Sequence, residues 1–172
     1  MKKELNTQVK ATNKQIRETS TQLKSVGFKL KSVGIHYGNI SKNLGEVAEE
    51  FFFNGLEKNL GFNGFKFKTV TRNTQTKDHE YDIISYGNKE IAIIEVKHKL
   101  KLKTIAELEE KIKSFKKIFK VYKKYNYYGA LAGFVVPEPV RKKAKKRGLF
   151  ILTQSGEDIK LLNKKDFKPK IF

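Results

Sequence analysis

Ile91-Ala92-Ile93-Ile94-Glu95-Val96-Lys97, preceded by Tyr81-Asp82-Ile83-Ile84, is the most informative part of this chain. An apolar run rich in β-branched residues predicts a buried strand. This one ends in a carboxylate and an ammonium. Strand side chains alternate, so Glu95 and Lys97 share one face and Val96 takes the other. Charges at the end of a core strand need a partner or an ion, because burying them alone is costly. Gly87-Asn88 between the two runs signals a hairpin turn. Pairing Tyr86 with Lys89 puts Asp82 opposite Ile93, with Glu95 as its diagonal neighbour on the same face. Diagonal neighbours lie roughly 7–8 Å apart, within reach of a shared ion.

An acid, a hairpin and an apolar strand ending Glu-x-Lys, here Tyr81-Asp82 and Glu95-Val96-Lys97, resembles the core of the PD-(D/E)XK nuclease superfamily. Tyr81 stands where that pattern usually has Pro. The resemblance extends to the preceding helix. Ala48-Glu49-Glu50-Phe51 is similar to the first helix of Holliday junction resolvases, whose acid after a small residue reaches the metal site, and this carries a metal-site role to Glu49. Glu49 also falls on an apolar helical stripe with Phe52, Phe53 and Leu56. The implied fold is a three-layer, restriction-endonuclease-like α/β sandwich with a mixed central sheet and an αβββαβ core. The implied chemistry is metal-dependent hydrolysis of phosphodiesters. Mg²⁺ or Mn²⁺ would bind Asp82 and Glu95, with the Val96 carbonyl as a third ligand and Glu49 completing the shell. Lys97 would orient or deprotonate the attacking water.

The order of elements agrees with that fold. A helix from Gly45 to Leu60 ends at Gly61. A strand at Phe65–Val70 and a polar loop at Arg72–Glu80 lead to the hairpin. Lys97, Lys99, Lys101 and Lys103 alternate with His98, Leu100 and Leu102, which predicts a lysine stripe beside the acids that could hold phosphates. Thr104 and Glu107 then read as a capping box. The helix they open carries the stripe Ile105, Leu108, Ile112, Phe115, Phe119 and Tyr122, with most of its lysines elsewhere. A buried strand at Tyr127–Val136, a short helix at Val140–Arg147 and strands at Leu149–Thr153 and Ile159–Leu162 follow. Arg141, Lys142 and Lys145 on the short helix are candidate phosphate contacts.

Residues 1–44 form a separate arm, ahead of a nuclease-like domain at 45–172. Leu5, Val9, Thr12, Ile16, Thr19, Leu23, Val26, Leu30, Val33, Tyr37, Ile40 and Leu44 follow alternating steps of four and three, the spacing of a coiled-coil seam. This predicts a long helix that self-associates through residues 5–44. Members with such an arm are part of the resemblance.

Composition narrows the partners. The 172 residues carry a formal net charge of +19, and residues 97–147 hold 17 Lys/Arg against 4 Asp/Glu. A polyanion is expected, nucleic acid before an anionic membrane surface, and DNA before RNA. Cysteine is absent, which excludes disulfides, thiolate metal sites and thiol nucleophiles. No apolar run reaches the roughly 18 residues of a membrane span, and a cytoplasmic protein is expected. The competing expectations are a catalytically inactive nuclease-fold module, which grips nucleic acid and recruits partners through its arm, and a basic RNA-binding protein without a metal site.

Overall fold

The structure, a computed structural model, describes residues 2–62, 64–164 and 166–172, without the side chains of 2–7, 9 and 11. Leu5 and Val9 of the heptad seam therefore lie outside the described side chains. The chain divides into two compact units, residues 1–43 and 44–172. Helix α1 (Lys2–Asn59) begins in the first and ends in the second. In the first unit the described seam residues from Ile16 to Ile40, and Phe28 and Ile35 besides, are exposed.

The second unit is built on a six-stranded mixed sheet in the order β3-β4-β5-β6-β7-β8. Its strands are β3 (Thr69–Gln75), β4 (Glu80–Tyr86), β5 (Glu90–Lys99), β6 (Asn126–Val135), β7 (Phe150–Ser155) and β8 (Asp158–Leu161). β3, β4 and β5 form an antiparallel meander; β5, β6 and β7 are parallel; β8 turns back on β7. The parallel pairs are joined by α2 (Leu102–Ile118) and α3 (Glu138–Lys146), as parallel strands require a crossover. A small hairpin, β1 (Gly61–Phe62) with β2 (Phe65–Lys66), precedes β3.

Two apolar clusters make the layers. On one face, Ile91, Ile93, Tyr127 and Leu131 pack with Ile105, Leu108, Ile112 and Phe115 of α2 and Val140 and Ala144 of α3. On the other, Ile83, Ala92, Ile94 and Val96 pack with Ala48, Phe52 and Leu56 of α1. β5 supplies both faces in strict alternation, which is why its sequence is apolar almost throughout.

Four local expectations are corrected. The hairpin register is Ile83↔Ile94 to Tyr86↔Ile91, with Gly87 N–H donating to Glu90 O at 2.7 Å, so Asn88-Lys89 forms the turn. This shifts the partners by two residues, which preserves every side chain's face. Arg72–Gln75, expected in a loop, continues β3, because Thr71, Thr74 and their neighbours pair with β4. Leu60 ends α1 in a left-handed conformation at φ 39°, with its N–H on Leu56 O. Gly61 serves the β1–β2 approach instead: a Cβ there would lie 2.3 Å from Phe65 O. Finally, the lysine stripe is broken. Leu100 is buried with its N–H on Val135 O, and the chain turns at once into α2. Lys101 becomes the N-cap residue, its N–H donating to Thr104 Oγ1 at 3.4 Å, and Lys103 lies in the first helical turn.

Candidate active site

The corrected register brings Asp82 directly opposite Glu95, although the paired ladder stops at Ile83↔Ile94. Beyond it, the Asp82 carboxylate takes over: Val96 N–H donates to Asp82 Oδ2 at 2.7 Å. On the other side of β4, the ladder to β3 skips Asn73, which lies opposite Asp82 and has φ 52°. Asn tolerates this left-handed backbone better than other non-glycine residues. The two irregularities flank Asp82 on both neighbouring strands, at the point where its side chain is used.

Asp82 and Glu95 are 7% and 3% exposed. Two buried carboxylates side by side repel unless cations compensate. Two lysines do so. Lys97 Nζ lies 2.7 Å from Glu95 Oε1 and 3.2 Å from Asp82 Oδ2, and donates to Val96 O at 2.8 Å. Lys111 Nζ donates to Glu95 Oε2 at 2.5 Å and lies 3.6 Å from Asp82 Oδ1. Each carboxylate is thus held between two ammonium groups. Burial works against the Lys97 charge, but Glu95 and Asp82 outweigh it and hold its pKa above the ordinary lysine value.

Lys111 comes from α2, which covers this face of the sheet. Tyr81 helps set it: its hydroxyl donates to Lys111 O at 3.3 Å and its ring meets Phe115 edge-on. Tyr81 thereby ties α2 to the strand that carries Asp82. Lys111 was missed in the sequence because it is one of many helical lysines. A signal was present, since it sits three residues after Leu108 and four before Phe115, on the buried stripe.

Glu49 is half-buried on α1, beside Ala48 and Phe52. Those neighbours pack on the face opposite to the one carrying Ile91 and Ile93. The Glu49 carboxyl senses the two acids. Burial, and then the Asp82 carboxylate, raise its pKa above the ordinary value, while Lys97 pulls the other way. Among the described residues no group of three or more His, Asp or Glu side chains is gathered so as to hold a metal ion.

The basic candidates spread around the unit. Lys99 is exposed at the end of β5, and Lys103 pairs with Glu107 at 2.9 Å. Arg141 and Lys142 both reach Glu138, at 2.5 and 3.9 Å. With Lys145 and Lys164 they line a cavity of about 280 Å³ floored by Ile151 and Leu162.

A repair endonuclease from Pyrococcus abyssi is structurally similar to this chain, with a TM-score of 0.50 at 19% identity, over 62% of this chain and 46% of that one. The structure of an EndoMS–dsDNA2 complex gives a TM-score of 0.46 at 16% identity, over 63% and 43%. The chain spans less than half the length of either. No protein-family model matches the chain, and no curated protein matches it in sequence. The likeness to the repair endonuclease shows the fold of the α/β sandwich with its mixed six-stranded sheet. No helix among the described residues is long and apolar enough to cross a membrane.

Proposed function

We propose that this chain is a metal-dependent nuclease that hydrolyses phosphodiester bonds in DNA. The observation that carries the reading is the buried pair Asp82–Glu95, held with Lys97 at the end of a core strand. The fold shared with a repair endonuclease and the net charge of +19 support it.

The donor set suits a small, hard cation. Asp82 Oδ2, Glu95 Oε1 and Val96 O already converge on one cationic group, the Lys97 ammonium. Oxygen ligands of this kind fit Mg²⁺ or Mn²⁺. Asp82 and Glu95 would hold the ion, with Val96 O beside them and Glu49 at the rim. When bound, such an ion supplies a more acidic water and polarises phosphate oxygens.

The protein's own groups do the rest. Without a bound ion, burial opposes the Lys97 charge, but Glu95 and Asp82 hold its pKa above the ordinary value. Lys97 would orient or deprotonate the attacking water and offset charge developing on phosphate. Lys111 fixes the outer oxygen of Glu95 and keeps its carboxylate oriented. Lys99, Lys101, Lys103, Arg141, Lys142 and Lys145 supply contacts to the phosphate backbone, which position a polyanion without reading its sequence.

Labelled single-stranded, duplex and branched DNA should be cut in Mg²⁺ or Mn²⁺ and spared in EDTA. Asp82→Asn and Lys97→Ala should lose cleavage while still binding DNA. Unchanged cleavage by either variant refutes the assignment. Tight DNA binding without cleavage in any divalent ion would make the chain a binding module of nuclease fold.

A further inference from the structure

The exposed seam of α1 has an internal logic that the nuclease reading does not use. Written as heptads, Ile16, Leu23, Leu30 and Tyr37 occupy position a, and Thr12, Thr19, Val26, Val33 and Ile40 occupy position d. All are exposed within this chain, Leu23 and Leu30 at 66% and 67%. A row of large apolar side chains of this length needs a cover.

The charges say what can cover it. Residues 10–43 hold seven Lys/Arg and one acid, Glu18. Six of the seven cations, Lys10, Lys14, Arg17, Lys24, Lys31 and Lys42, fall at positions b or f, away from the seam. The flanks that would face a partner helix are nearly uncharged. Position e reads Asn13, Ser20, Gly27, Gly34, Ser41, and position g reads Gln15, Gln22, Lys29, His36, Asn43. Flanking charges are what select an oppositely charged partner helix, and like charges there keep copies apart. This arm lacks the first device and largely avoids the second, so a second copy fits it better than an acidic partner. Glycine or serine at four of the five e positions also allows close approach. A Cβ at Gly27 or Gly34 would meet nothing in this chain within 4 Å, so nothing in it requires glycine there.

Orientation follows from the gradient along the seam. Polar d residues, Thr12 and Thr19, are confined to the N-terminal half, while the d residues from Val26 onward are aliphatic. Parallel pairing sets threonine against threonine and aliphatic against aliphatic; antiparallel pairing mixes them. Thr19 also donates its hydroxyl to Gln15 O at 2.8 Å, so it can enter an apolar seam already satisfied.

We infer that residues 12–44 pair in parallel with the same residues of a second copy, forming a two-stranded coiled coil that turns the lysines and arginine of its b and f positions outward. The inference does not rest on catalysis, and its test reads mass and cross-linking. In analytical ultracentrifugation the full chain at micromolar concentration should sediment at twice its 19.9 kDa mass. Leu23→Lys with Leu30→Lys should give the monomer. Phe28→Lys with Ile35→Lys, at the equally exposed f positions, should leave the dimer intact and control for loss of helix by circular dichroism. Because the chain has no cysteine, Thr19→Cys alone should yield a disulfide-linked dimer on oxidation. A monomeric wild-type chain, a mass of three or more chains, dissociation by the f-position variant, or no Thr19→Cys cross-link would each overturn the proposal.

Discussion

The side chain that most changes the picture of the site is Lys111. Its ammonium touches Glu95 Oε2 and approaches Asp82 Oδ1, in a place almost closed to solvent. Charged hydrogen bonds of this kind contribute about 1.5–3 kcal/mol when one partner is removed. Lys111→Met should therefore destabilise the fold by about that amount, as measured by urea unfolding. Adding Glu95→Gln should recover part of the loss, because an uncompensated carboxylate is worse than a neutral amide. Glu49 makes the opposite prediction. Its raised pKa means that the fold favours the protonated acid, so ionisation opposes folding. At pH 7 Glu49→Gln should melt at a higher temperature than wild type. The gain should shrink as pH falls through the folded pKa and vanish below the unfolded value near 4.5, where both states are protonated. A gain independent of pH would show that charge is not its cause.

Among the elements, the β4–β5 hairpin and α2 make the site together. The hairpin contributes Asp82, Glu95 and Lys97; α2 contributes Lys111 and is held in place by its apolar stripe and by Tyr81. A second tie lies at the far side of α2. Glu109 accepts from Arg147 Nε at 2.7 Å and from its Nη2, joining α2 to the end of α3. The Arg147 hydrogen bonds outweigh burial and lower the Glu109 pKa. A depressed carboxylate pKa contributes stability that is present above the unfolded value and is lost as pH falls through the folded one. Acid unfolding of Glu109→Gln, followed by circular dichroism, should therefore lose part of the wild-type pH dependence below about pH 4.5, with a lower melting temperature at pH 7. The same slope in both proteins would remove Glu109 from the account.

For the whole molecule the governing quantity is charge. At +19 on 172 residues, association with a polyanion should be strongly salt-dependent. Each phosphate contact removed lowers the slope of log K against log salt by about 0.9. Arg141→Ala, Lys142→Ala and Lys145→Ala combined should lower the slope by about 2–3 while leaving Mg²⁺-dependent cleavage at low salt largely intact. Fluorescence anisotropy on one duplex across a salt series measures this directly. An unchanged slope would place the phosphate path elsewhere on the surface.

Alternation along β4 and β5 was sufficient, from sequence alone, to put Asp82, Glu95 and Lys97 on one face. Strand parity is a local property, and a register error of two residues leaves it intact. The heptads, the charge and the order of elements were legible for the same reason: each is a pattern along the chain. Packing across layers is not such a pattern. Only the tertiary structure could bring Lys111 of α2 onto Glu95 and place Asn73, with its left-handed backbone, beside Asp82. It also ended the lysine stripe at Lys99, because burial of Leu100 turned the chain into a helix where alternation alone would have continued the strand.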